Sequence, residues 1–179
     1  MARKNRNILL LAFVLLLTYT NYNYTLNETI TEEPNECTFE ELELERFLDD
    51  MGFSESSNIH NIVSKYGYLG KYQFSSNTLR GLGYNIPKKE FLNNPVIQDE
   101  AMVSLLKHNK KVLQKYINRW DGKTKNGVKI TESGILAAAH LTGATSVKNY
   151  FNKGIVKEDG NGVSIIDYMV KFADYKFEI

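Results

Sequence analysis

FSESSNIHNIVSKYGYLGKYQF, Phe53 to Phe74, joins the acidic end of an apolar-periodic segment to a run of glycines and aromatics. The segment before it begins with Thr38-Phe39-Glu40-Glu41, a capping-box pattern in which hydroxyl and carboxylate each satisfy a free backbone N–H. Phe39, Leu42, Leu44, Phe47, Leu48 and Met51 then recur at close to helical spacing. This predicts a helix from about Phe39 to Glu55, followed by a structured loop over residues 56–74. Glu55 thus stands where a helix ends and a loop turns back through Gly67, Gly70 and Tyr72-Gln73-Phe74. A carboxyl group walled by aromatic rings keeps its proton to higher pH and can protonate a leaving oxygen. Glycines let a backbone approach a sugar closely. Tyr and Gln offer a stacking face and hydrogen bonds.

Outward from this stretch the chain reads as helical. Ser76 to Gly81 fits a short helix stopped by Gly83. Asn94-Pro95 opens a long one, with Val96, Ala101, Met102, Leu105, Leu106, Val112, Leu113 and Ile117 as its expected buried stripe. Asp121 to Gly127 is turn-rich. Thr131 caps a helix running to Leu141, Ser146 to Phe151 is a further helical piece, and Lys157 to Gly162 is a turn. Ser164 caps a last helix to about Tyr175, with Ile165, Ile166, Met169, Val170 and Phe172 expected inward. No alternating strand pattern stands out, so the expected fold is mainly α.

The 179 residues suit one compact domain and a leader. Residues 1–20 read as a signal peptide or N-terminal anchor. Three basic residues precede Ile8 to Leu17, an unbroken apolar run of ten. A secretory core is about 7–15 residues and a spanning helix about 20. A membrane tether through residues 8–17 stays open beside cleavage. Residues 21–37 read as a polar linker and 38–179 as the folded domain. One cysteine, Cys37, excludes an internal disulfide and a multi-thiolate zinc site. His60, His108 and His140 are not at metal-ligand spacing. Residues 56–129 carry 13 bases against 4 acids, an excess that fits an anionic partner or a solvated helix face.

The quoted stretch resembles the lysozyme-like superfamily, in particular its soluble lytic transglycosylase-type domains and their phage and secreted relatives. Those domains carry Glu-Ser at a helix end and a Gly-x-x-Gln loop about eighteen residues on. Glu55-Ser56 and Gly70-Lys71-Tyr72-Gln73 stand in that relation. Ala138-Ala139-His140-Leu141-Thr142-Gly143 resembles a later Ala-Ala-Tyr-Asn-Ala-Gly helix, and Tyr168 a late tyrosine opposite the acid. The likeness covers about residues 45–175. It implies a single lysozyme-like helical domain that cleaves the MurNAc–GlcNAc bond of peptidoglycan strands without a metal or other cofactor. The leader points to export to the periplasm or cell exterior, a monomer is expected, and the absence of a binding motif argues against a nucleic-acid partner. Glu55 would be the catalytic acid and then base. Ser56, Tyr72, Gln73, His140 and Tyr168 would orient or bind substrate. His140 replaces the usual Tyr and keeps a hydrogen-bonding ring. Leu141 replaces Asn and removes a polar contact.

A hydrolase usually needs a second carboxylate. Residues 56–89 contain no acid, which favours the one-carboxylate transglycosylase route. A carboxylate distant in sequence would instead give a hydrolytic muramidase. A lysozyme-like module that binds glycan or protein without cutting is the alternative of another class. A basic nucleic-acid binder ranks last, because no binding motif accompanies the lysines.

Overall fold

The computed structural model describes residues 37–179, of which Phe39–Ile179 form one compact unit. The expected leader and the linker up to Glu36 lie outside the described residues. The described chain is mainly α, with seven helices and one two-stranded hairpin. No described helix is long and apolar enough to cross a membrane.

Helix α1 (Phe39–Ser56) buries Phe47, Met51 and Gly52 on one face. Its first turns leave Phe39 and Leu42 exposed. Two short helices, α2 (Ser76–Gly81) and α3 (Lys88–Leu92), precede α4 (Pro95–Trp120). Ser75 caps α2 by accepting from Thr78 N. Asn94 caps α4 by accepting from Ile97 N at 3.2 Å, with Pro95 at the first position, where its missing N–H costs nothing. The buried face of α4 is Gln98, Ala101, Met102, Leu106, Asn109, Leu113 and Ile117. Val96 does not belong to it. It lies roughly 120° round the helix from Met102 at 3.6 residues per turn and is exposed.

The turn-rich segment forms a small hairpin of β1 (Thr124–Lys125) and β2 (Val128–Lys129), closed through Asn126-Gly127. An Asn-Gly pair is a strong hairpin signal, and the strands are too short to show alternation. Helix α5 (Glu132–Thr142) is capped by Thr131 and buries every residue from Ser133 to Ala139. A helix apolar on all sides belongs at the centre, and α5 packs against α4, α6 (Ala144–Lys153) and α7 (Ile165–Lys171). Gly134 permits the approach of α7, since a side chain there would run into the Met169 backbone.

Ser164 and Asp167 form a complete capping box at the start of α7. This helix ends at Lys171, short of the expected Tyr175. Its inward face is Ile165, Tyr168 and Met169, with Phe172 just beyond. Val170 points away and is exposed, correcting the expectation for it. The tail after α7 instead returns to α1, where Phe47 meets the rings of Phe172, Tyr175 and Phe177 at 4.9–5.5 Å.

Candidate active site

Glu55 sits in the last turn of α1, and the chain reverses immediately after it. Ser57 and Asn58 both adopt positive φ. Ser56 Oγ donates to Lys71 O at 2.8 Å and accepts from Ile59 N at 3.0 Å. It therefore ties the start of the loop to its end. The loop is held further by Gly70 N to Ile62 O at 2.9 Å and by the paired Leu69 and Phe74. Gly70 has φ of 71°, and a side chain there would collide with the Gln98 carboxamide. Only glycine meets both demands at that position.

Three elements converge on the carboxylate. Tyr168 of α7 donates its hydroxyl to Glu55 Oε1 at 2.6 Å. His140 of α5 places Nε2 3.6 Å from the same oxygen, a close approach too long for a hydrogen bond. Both side chains are enclosed: 6% of the His140 side chain and 15% of the Glu55 side chain are exposed. Phe74 stands edge-on to His140 at 6.0 Å, as a core aromatic that also walls the site. Burial, then the adjacent Glu55 charge, pushes the Tyr168 hydroxyl well above the usual tyrosine range. Tyr168 therefore remains a proton donor throughout the physiological range. The structure thus brings together Glu55, His140 and Tyr168, which lie up to 113 residues apart.

The other expected residues divide. Gln73 lines the cleft in a left-handed conformation, with its Nε2 donating to Gly70 O at 2.9 Å. Ser56 spends its hydroxyl on loop backbone. Tyr72 does not line a groove: its ring is fully buried and its hydroxyl donates to Asp99 Oδ1 at 2.6 Å. Burial and this bond raise the Tyr72 hydroxyl far above its ordinary value. The ring turns inward because Asp99 and Lys71 offer it a polar partner and a cation within the fold.

Glu55 opens into a cleft of about 1330 Å³. Gln73, Phe74, His140 and Leu141 form part of its wall. Several lining residues escaped the sequence reading. The exposed Tyr66 and Tyr68 line it, as do Glu158, Asp159 and Gly160 of the later turn and Asn109 of α4. Glu158 and Asp159 are the carboxylates that share the cleft with Glu55. Asp159 accepts from Asn161 N at 2.9 Å and Val163 N at 2.8 Å, which holds its turn. The only sequence signal for this rim was the Asp-Gly-Asn-Gly turn, which gives no hint of what it faces.

Among the described residues, no group of three or more His, Cys, Asp or Glu side chains is placed to share a metal ion. Comparison with known protein families, with curated proteins and with solved structures finds no match to this chain.

Proposed function

We propose that this chain is an exported peptidoglycan lytic transglycosylase with a lysozyme-like helical fold, cleaving the MurNAc–GlcNAc bond through Glu55. The observation that carries the reading is the enclosed carboxylate of Glu55, bonded to Tyr168, faced by His140 and opening into a cleft large enough for a glycan. In its protonated form Glu55 gives its proton to the glycosidic oxygen. The C1–O bond breaks and the departing sugar leaves as an alcohol. The resulting carboxylate takes the proton of the retained sugar's own 6-hydroxyl, whose oxygen closes on C1 to form a 1,6-anhydro ring. No water is consumed, and Glu55 regains its proton. Tyr168 fixes the orientation of the carboxyl group through Oε1. His140 places a polar ring edge beside it, and Gln73 offers an amide to substrate hydroxyl or acetamido groups. The basic, apolar leader supports delivery to the wall compartment.

Hydrolysis is the second reading, and Glu158 and Asp159 in the same cleft favour it. A glycan- or protein-binding module without catalysis is the third, supported by Leu141 on the cleft wall.

The test is a product assay with the purified protein and peptidoglycan, read by mass spectrometry. Fragments one water lighter than hydrolytic muropeptides are expected. Glu55→Gln should lower turnover by roughly 10²–10⁴-fold, the usual worth of a general acid, with the unfolding transition little changed. Retained turnover in that variant rejects the assignment. Ordinary reducing ends select hydrolysis, and a folded wild type that binds but releases nothing selects the binding module.

A further inference from the structure

Two hairpin tips approach each other at the cleft that holds Glu55. The first is the turn Ser64 to Gly67, closed by Gly67 N to Ser64 O at 2.9 Å and Ser64 N to Tyr68 O at 2.9 Å, with Val63 paired to Leu69 at its base. It carries Tyr66 at its end. The second is the turn Asp159 to Gly162, closed by Asp159 N to Val163 O at 2.9 Å and by the Asp159 carboxylate, with Glu158 paired to Ser164 at its base. It carries Gly160 at its end. The point where a Gly160 side chain would begin lies 3.9 Å from Cε2, Cζ and Oη of Tyr66. A methyl group there would sit in ordinary van der Waals contact with the ring, so the gap between the two tips is about one methyl group wide; the ring is otherwise exposed. Both tips line the same cleft. Each is braced by its own hydrogen bonds, so neither is a loose strand that a ligand would brush aside.

We infer that Tyr66 and Gly160 form a clasp across the cleft, so that a polymeric substrate is admitted end first and is cut from its terminus. The inference rests on the glycan-cleaving reading above and adds the mode of action to it. A strand laid sideways into the cleft would have to pass through a gap only about one methyl group wide, narrower than a sugar ring. A strand presented by its end need not.

The experiment uses soluble, peptide-free glycan strands of defined length, with the reaction stopped early and chain lengths read by chromatography. The wild type should release small fragments from the outset while the remaining strands keep nearly their starting length. Tyr66→Ala should lose this pattern: at the same number of bonds cut, strands of intermediate length should appear. Tyr66→Phe should behave as the wild type, because it keeps the ring that narrows the gap. Tyr66 is exposed, so removing its ring leaves the core intact. Intermediate strands from the wild type overturn the clasp while leaving the glycan-cleaving function standing. So does an unchanged pattern in Tyr66→Ala. A wild type that cuts no strand overturns both.

Discussion

The loop over residues 57–75 treats polar groups differently on its two sides. Toward α4 they are paired and buried. Gln98 is fully enclosed; its Oε1 accepts from Lys71 N at 2.7 Å, and its Nε2 donates to Phe91 O at 2.9 Å and His60 O at 3.1 Å. Lys71 is 6% exposed, and its ammonium group lies 3.3 Å from Asp49 and 3.4 Å from Asp99. Asn58 Oδ1 is the exception there, buried without a partner among the described residues. Toward the cleft the opposite holds. His140 Nδ1, Asn109 Nδ2 and Thr142 Oγ1, all on cleft-lining residues, are buried without hydrogen-bond partners among the described residues. Buried polar groups are costly unless bonded. The paired side has spent its polar capacity on the loop's shape. The cleft side leaves three such groups unpaired just behind its surface.

The largest effect that bears on this comparison is expected at Gln98. Gln98→Leu keeps the volume but strips partners from Lys71 N–H and from the Phe91 and His60 carbonyls. Each unsatisfied buried group costs about 1–3 kcal/mol, so a loss of about 3–5 kcal/mol is expected in chemical denaturation. A loss under about 1 kcal/mol would mean that the loop does not depend on this side.

Tyr168→Phe probes the cleft side. It removes the hydroxyl that orients Glu55 and leaves the buried ring. Turnover should fall by roughly 10-fold, the equivalent of one hydrogen bond of about 1.4 kcal/mol, mostly in kcat. Stability should change by less than about 1 kcal/mol. Unchanged turnover with lowered stability would place Tyr168 on the structural side of the comparison.

What was legible in the sequence follows the range of the interactions. The caps at Ser164, Thr131 and Asn94-Pro95 act within four residues, so the side chain and the backbone it satisfies lie side by side in the chain. The end of α1 at Glu55 was legible through its apolar period and the turn residues after it. The direction of Tyr72 was not. In a Gly-Tyr run an aromatic reads alike whether its ring faces cleft or core, and here Asp99, 27 residues on, decides it. Val96 and Val170 failed for a related reason: an apolar residue in a terminal turn looks periodic even when no neighbour covers it. The clasp and the carboxylates Glu158 and Asp159 needed two turns about ninety residues apart to meet, and nothing local encodes that.

Ser164 and Asp167 offer the smallest and most controlled perturbation, because this capped turn places Tyr168 one helical turn on. Ser164→Ala should cost about 1 kcal/mol and leave the contact of Tyr168 with Glu55 in place, so turnover at neutral pH should be nearly unchanged. The pH dependence gives the sharper reading. The hydrogen bond from the Ser164 hydroxyl, and then that from the Ser164 N–H, hold the Asp167 carboxyl below its usual value of 3.8. A carboxyl group lowered on folding contributes stability above its unfolded pKa and loses it as pH falls through the folded one. The difference between wild type and Ser164→Ala should therefore be full at neutral pH and should shrink as the solution is taken below the ordinary aspartate range. What remains in acid is the bond that the Ser164 hydroxyl accepts from Asp167 N at 3.2 Å, which carries no charge on the serine. Denaturation midpoints of the two proteins across that range measure both parts. A gap that stays constant into acid would mean that Asp167 contributes nothing through its charge and that the serine alone holds the start of α7.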